Sequence, residues 1–269
     1  MHEPNPIDVR AQASDEPVFR PIGVRPWEQE HPDAPRPDDA RFDQTLLDEG
    51  DQRNVLDRYR YWTVEAIKAD LDERGRHPFE VAIENWTHDF NIGSMVRTAN
   101  AFTANRVHIV GPHKWNRKGA LMTELYQHVV NHATIQECVD DWHERIAQEQ
   151  RNAENRVHSI EAKLQAGEID AEQANQELIY ARHDLRMATG AKIIAMDIID
   201  GAVPMETYRF PERCLLLFGA EGPGLSSRAL ELADDVVYIS QFGSVRSINA
   251  GAAAAVSMHA WISQHAAIQ

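Results

Sequence analysis

The chain has 269 residues, 43% hydrophobic and 26% charged, with a formal net charge of −15. That length can bury a sizeable core. Two cysteines, Cys138 and Cys214, exclude a disulfide framework or a four-cysteine zinc site, and no apolar run reaches the about eighteen residues of a membrane span.

The acidity is unevenly spread. Residues 1–57 hold 6 basic and 14 acidic side chains and residues 137–190 hold 6 and 12, whereas 58–136 hold 10 and 8. Phosphate contacts need Lys and Arg, so the total opposes a nucleic-acid partner while the middle of the chain does not. No basic stretch followed by an apolar one opens the chain, and the expected location is cytoplasmic.

Eight of the thirteen prolines fall in the first 37 residues among many Asp and Glu. Such a stretch buries too little apolar surface to offset ordering, so residues 1–50 are expected to form an acidic, mobile arm. Val55, Tyr59, Trp62, Ala66 and Leu71 recur at helical spacing and predict a helix from Asp51 to Arg74, within a segment 51–76. A domain over 77–269 follows. Phe79–Ile83 reads as a strand, Ile92–Phe102 as a helix and Arg106–Val110 as a second strand. Lys192–Asp197, Cys214–Gly219 and Val236–Ile239 are further strands, the wholly apolar Cys214–Gly219 being the central one. Helices are expected at Ser226–Leu232 and from Asn249 to about Ser263. Short apolar strands alternating with helices predict an α/β fold on a mostly parallel sheet.

Residues 137–190 interrupt that rhythm. Their Glu, Gln, Ala and Arg content, with Gly167-Glu168-Ile169-Asp170 in the middle, predicts an inserted helical hairpin with arms near 138–165 and 171–187. One reading is a solvated hairpin that packs only on itself. The other is an arm that contacts RNA or extends a dimer.

Three segments carry candidate chemistry. Asn91-Ile92-Gly93-Ser94-Met95-Val96-Arg97-Thr98-Ala99 opens a helix after a strand, with Asn91 as its expected N-cap and Arg97 under two turns away. Phe218-Gly219-Ala220-Glu221-Gly222-Pro223-Gly224-Leu225 puts an acid among glycines at a strand's carboxyl end, where open α/β sheets bind ligands. Its G-x-x-G-x-G spacing is not the dinucleotide fingerprint, and no Lys-Ser/Thr follows as in a Walker loop. Ile239-Ser240-Gln241-Phe242-Gly243-Ser244-Val245-Arg246-Ser247-Ile248-Asn249 runs from a strand end into an Ala-rich helix.

Together these segments resemble the SpoU, or TrmH, branch of the SPOUT RNA methyltransferases. Asn91, Gly93, Arg97, Thr98 and Ala99 match the family's N-x-G-x-x-x-R-T-A. Phe218, Gly219, Glu221, Gly222, Gly224 and Leu225 match F-G-x-E-G-x-G-L. Ile239, Gly243, Ser247 and Asn249 match I-P-M-x-G-x-x-x-S-L-N-V-S-V-A, with Ile248 in place of Leu. Ser240-Gln241-Phe242 and Ala250-Gly251 depart from the pattern beside the cofactor loop. The likeness covers about 79–136 and 191–265.

The resemblance implies the α/β knot, a deep C-terminal trefoil, in a homodimer with the site near its interface. It implies S-adenosylmethionine held by Phe218, Gly219, Gly224, Ile239, Gly243 and Ile248, and methyl transfer to a ribose 2′-hydroxyl of RNA. The catalytic group carried over is Arg97 with Asn91, Glu221, Ser247 and Asn249. A guanidinium with a pKa above about 12 does not readily take a proton, so Arg97 reads as a fixed cation for a developing alkoxide or a phosphate.

For RNA, Lys114, Trp115, Arg117 and Lys118 offer a stacking ring among cations. No ribosomal-protein-like RNA-binding module precedes the catalytic region, which leans the substrate towards tRNA over rRNA. Glu124, His128 and His132 fall at four-residue spacing, but the pattern is not H-E-x-x-H and reads as polar helix surface; no metal is expected. The alternative function is a catalytically weak RNA-binding or assembly factor that keeps the fold. A dinucleotide-dependent oxidoreductase is disfavoured by the glycine spacing.

Overall fold

The computed structural model describes residues 6–14, 22–86 and 91–267. The chain divides into two units, Met1–Ile67 and Lys68–Gln269.

In the first unit, α1 spans Pro6–Gln12, α2 Trp27–Glu30 and α3 Gln44–Glu49, the last capped by Asp43, whose carboxylate accepts from the Thr45 and Leu46 N–H groups. Asp51 is fully buried and accepts from the Arg53 guanidinium, the Arg53 N–H and the Tyr61 N–H, while the Tyr61 hydroxyl donates to the Arg25 carbonyl. Antiparallel bridges Val24–Asp51 and Phe42–Trp62 close the unit around Trp27, Phe42, Tyr59 and Tyr61. The segment 22–50, expected as part of a mobile arm, is therefore organised by one buried carboxylate and a cluster of rings. The helix expected over Asp51–Arg74 is also shorter. Tyr61 sits at φ 63°, outside helical space, so α4 runs only over Val64–Glu73, after a single 3-10 turn at Asp57–Tyr59.

The second unit is built on seven parallel strands in the order β3-β2-β1-β6-β4-β7-β5. In chain order they are β1 Phe79–Glu84, β2 Val107–Val110, β3 Val129–His132, β4 Lys192–Met196, β5 Val203–Pro204, β6 Cys214–Phe218 and β7 Asp235–Tyr238. The helices are α5 Ile92–Ala101, α6 Thr123–Tyr126, α7 Ile135–Ala166, α8 Ala171–Thr189, α9 Ser227–Leu232 and α10 Ala250–His265. β6 is central and buried throughout, as its apolar run requires. Register pairs Val81 with Val107 and with Leu216, so alternate residues of each strand face opposite layers. Phe79, Val81 and Ile83 meet α5 and α10 through Met95, Val96, Met258 and Trp261. Ala82, Leu215 and Leu217 meet α7 and α9 through Val139, Trp142 and Ala229.

The hairpin is not solvated over its whole length. Ile135, Cys138, Val139 and Trp142 at the root of α7 belong to the sheet's own core, whereas Ile160, Ala174 and Ala181 further out form a separate cluster. The root is also tied by charge. Glu80, buried in β1, accepts both terminal nitrogens of Arg145 at 2.7 and 2.8 Å and one of Arg213 at 2.9 Å, and Arg213 pairs with Glu149 at 2.8 Å. Burial works to raise the Glu80 pKa; His108, Arg145 and Arg213 outweigh it and hold the carboxyl far below the usual range. Removing one member of such a buried set leaves an uncompensated charge, at a cost of about 3–5 kcal/mol.

Candidate active site

Because every strand is parallel, the loops after β1, β4, β6 and β7 emerge at the same edge of the sheet. A cleft of about 580 Å³ lies there, lined by strand ends such as Asp197, Phe218 and Tyr238 and by both glycine-bearing loops. That volume suits a small organic ligand.

The β6 loop folds back on itself. Ala220 and Gly224 form an antiparallel bridge, Gly224 takes φ +74°, and a Cβ on Gly219 would stand 2.0 Å from the Gly224 carbonyl carbon. Only glycine fits at 219. Two buried or half-buried acids pin the loop's far end. Glu84, 1% exposed, accepts from the Ser226 N–H and hydroxyl at 2.7 Å each and from Trp86 Nε1 at 3.0 Å. Asp197 Oδ2 accepts from the Leu225 N–H at 3.0 Å. Glu206, in the turn after β5, accepts from the N–H and hydroxyl of Ser240 in the β7 loop; hydrogen bonds from its own N–H and from Ser240 lower its pKa. These three acids escape a reading of the sequence, since a lone carboxylate at a strand end or in a turn has no periodic or spacing signature.

Three loops meet through three polar side chains. Asn91 Nδ2 donates to Glu221 Oε2, and Asn249 Nδ2 donates to Asn91 Oδ1 at 2.9 Å and to Glu221 Oε2 at 3.1 Å. Asn249 also caps α10, accepting from the Ala252 N–H at 3.1 Å. Asn91 precedes α5 but makes no capping bond; its amide is committed to Glu221 and Asn249, which corrects its expected role as a cap. Gly251 lies beside this contact: a Cβ there would stand 3.2 Å from Asn249 Oδ1 and 3.4 Å from Asn91 Oδ1.

Of the residues anticipated for a cofactor, Phe218, Gly219, Gly224, Ile239 and Ile248 line the cleft, as do Glu221 and Ser247; Gly243 lies in the same loop outside the lining. Arg97 is exposed on α5, with no side-chain hydrogen bond or ion pair among the described residues. The segment with Lys114, Trp115, Arg117 and Lys118 lies against α5, where a Cβ on Gly93 would come within 2.9 Å of the Asn116 carbonyl and the Ala120 nitrogen. Trp115 is half-buried against the core with the Arg117 guanidinium 5.8 Å from its ring centre, while Lys114, Arg117 and Lys118 are exposed. Glu124, His128 and His132 do not share a helix: they occupy α6, a link and β3, and His128 pairs with Asp72.

Residues 154–259 match the family model described as the SpoU rRNA methylase family. Over that stretch the chain is similar to the SpoU methylase family. The SpoU match contains the Gly219–Leu225 and Ile239–Asn249 loops, whereas the Asn91–Ala99 segment precedes it. Over 77 residues, 28% of this chain, the sequence is 34% identical to a Saccharomyces cerevisiae tRNA (guanosine(18)-2′-O)-methyltransferase, of which the match spans 5%. The SpoU methyltransferase AviRb from Streptomyces viridochromogenes, in complex with AdoMet, is 24% identical with a TM-score of 0.47, covering 70% of this chain and 58% of that one. A TrmH/SpoU tRNA-modifying enzyme of A. aeolicus is 16% identical with a TM-score of 0.48, covering 75% and 83%. Among the described residues no helix is long and apolar enough to cross a membrane.

Proposed function

We propose that the sheet domain binds S-adenosylmethionine in the cleft and transfers its methyl group to a ribose 2′-hydroxyl of RNA, with tRNA the favoured class. The observation that carries this reading is the joining of Asn91, Glu221 and Asn249, from three separate loops, beside a cleft lined by both glycine-bearing loops. The cofactor would supply an electrophilic methyl on a sulfonium. The residues present fit it: Gly219 and Gly224 let backbone approach a ligand closely, and Ile239 and Ile248 give apolar walls.

Glu221, Asn91 and Asn249 hold one another in place and orient the two loops that bound the cleft. Arg97, exposed on the helix that Asn91 begins, meets the developing alkoxide or the adjacent phosphate as a fixed cation. Lys114, Arg117 and Lys118, carried on the segment seated against that helix, hold further phosphates. The same proposal includes the trefoil path of the C-terminal segment, a homodimer with the site near its interface, and a cytoplasmic location.

Calorimetry with S-adenosylhomocysteine and, separately, with NAD tests the site. One equivalent of S-adenosylhomocysteine bound by the wild type and lost in Gly219→Ala is the expected result. Tight binding of NAD, or no binding of S-adenosylhomocysteine, contradicts it.

A further inference from the structure

On the α7 face of the sheet, away from the cleft, ligand atoms of His108, His132 and Cys138 lie within 4.8 Å of one another. They come from three elements, β2, β3 and the first turns of α7. His108 pairs in register with Val130, so His132 lies two residues further along the neighbouring strand on the same face. We propose that these three side chains form a binding site for a divalent transition metal of the zinc type, which fastens the root of the helical hairpin to the edge of the sheet.

The donor chemistry suits such an ion: imidazole nitrogens and one thiolate are ligands of zinc, and three protein ligands leave one place for water. The supporting groups are already arranged. His108 Nε2 lies 2.7 Å from Glu80 Oε2, a carboxylate that Arg145 and Arg213 keep ionised and that can only accept. Nε2 therefore carries the hydrogen and Nδ1 the lone pair, the carboxylate–histidine arrangement that orients metal-binding histidines. That Nδ1 points at His132 Nε2, 2.8 Å away, so both rings converge on one point. Two nitrogens on a tetrahedral zinc at about 2.0–2.1 Å stand roughly 3.3 Å apart, so the rings need to part by only about half an ångström.

Burial resists charge at both groups, pushing the Cys138 thiol up and the His132 pKa down. Asp141 and Glu80 near Cys138, and Asp141 and Glu137 near His132, supply negative charge for a cation, opposed by Arg145 and, at His132, by His108. Cys138 and His108 are fully buried, whereas His132 is half-exposed and gives the ion a way in. The inference does not depend on methyl transfer, because none of these residues touches the cleft.

The test is cobalt titration of the purified full chain after chelation, followed by absorption and equilibrium dialysis. The expected result is one equivalent bound with a thiolate-to-cobalt charge-transfer band, displaced by zinc. Cys138→Ser loses the band, and His132→Ala binds at least about tenfold more weakly. His128→Ala, whose ring pairs with Asp72 instead, leaves the titration unchanged. Circular dichroism confirms that each variant is folded, and thermal unfolding shows zinc raising the wild-type midpoint alone. A folded wild type that takes up no stoichiometric cobalt, or binding equal across the variants, overturns the proposal.

Discussion

Glu221 accepts hydrogen bonds from two amides, and one of these, Asn249, simultaneously caps α10. Losing the Glu221 carboxylate frees the β6 loop from both asparagines while the Asn249–Asn91 bond stays, whereas losing Arg97 releases no loop, because Arg97 has no bonded partner among the described residues. The two classes of variant should therefore separate. Arg97→Ala is expected to lower kcat by about 10²–10³-fold, the usual effect of removing one donor to a developing oxyanion, with S-adenosylhomocysteine affinity unchanged in calorimetry. Arg97→Lys retaining most turnover would show that a bare cation suffices; inactivity of both would point to the planar fork.

In the first unit, burial works to raise the Asp51 pKa, but hydrogen bonds from Arg53 and Tyr61 outweigh it and hold the carboxyl below its ordinary value. A depressed folded pKa contributes stability that is fully present above the unfolded value, about 3.9, and is lost as pH falls through the folded one. Asp51→Asn should thus cost about 3–5 kcal/mol at pH 7 in urea unfolding, with the gap to wild type narrowing in acid below about pH 4.

At the scale of elements, the strands were legible because strands buried throughout, as β1, β2 and β6 are, or in part, as β4 and β7 are, are mostly apolar, and all five lie within a residue or two of their expected bounds. β3 was not, since its residues are half-exposed at the sheet edge, and β5 spans only two residues. The polar centre was legible as three motifs, though its hydrogen bonding was not: an asparagine before a helix reads as a cap until a partner 158 residues away takes its oxygen. Glu80, Arg145 and Arg213 likewise bond across 65 and 133 residues, beyond any local pattern.

Glu84 is the staple between β1 and α9. Glu84→Ala strands three donors and is expected to weaken S-adenosylhomocysteine binding by about tenfold, or about 1.4 kcal/mol, with Glu84→Gln intermediate. The hairpin divides by packing. Replacing residues 151–184 with a short turn should leave the thermal midpoint of the sheet domain nearly in place, whereas Trp142→Ala at the root should cost about 3–5 kcal/mol in denaturant unfolding.

For the molecule as a whole, the net charge of −15 is no obstacle to an RNA substrate, because its excess lies in 1–57 and 137–190 while the segment with Arg97, Lys114, Arg117 and Lys118 holds 10 basic against 8 acidic residues. The parallel sheet brings the loops after β1, β6 and β7 to one edge, and the charge, the cleft and the Asn91–Glu221–Asn249 contacts all bear on the chemistry proposed there. The most direct measurement supplies methyl-labelled S-adenosylmethionine with bulk tRNA and, in parallel, rRNA, digests the product to nucleosides and locates the label. Label in a 2′-O-methylated nucleoside, abolished in Arg97→Ala, is the result this account requires. Label on a base, or no transfer to either RNA by a folded protein that binds the cofactor, would contradict it.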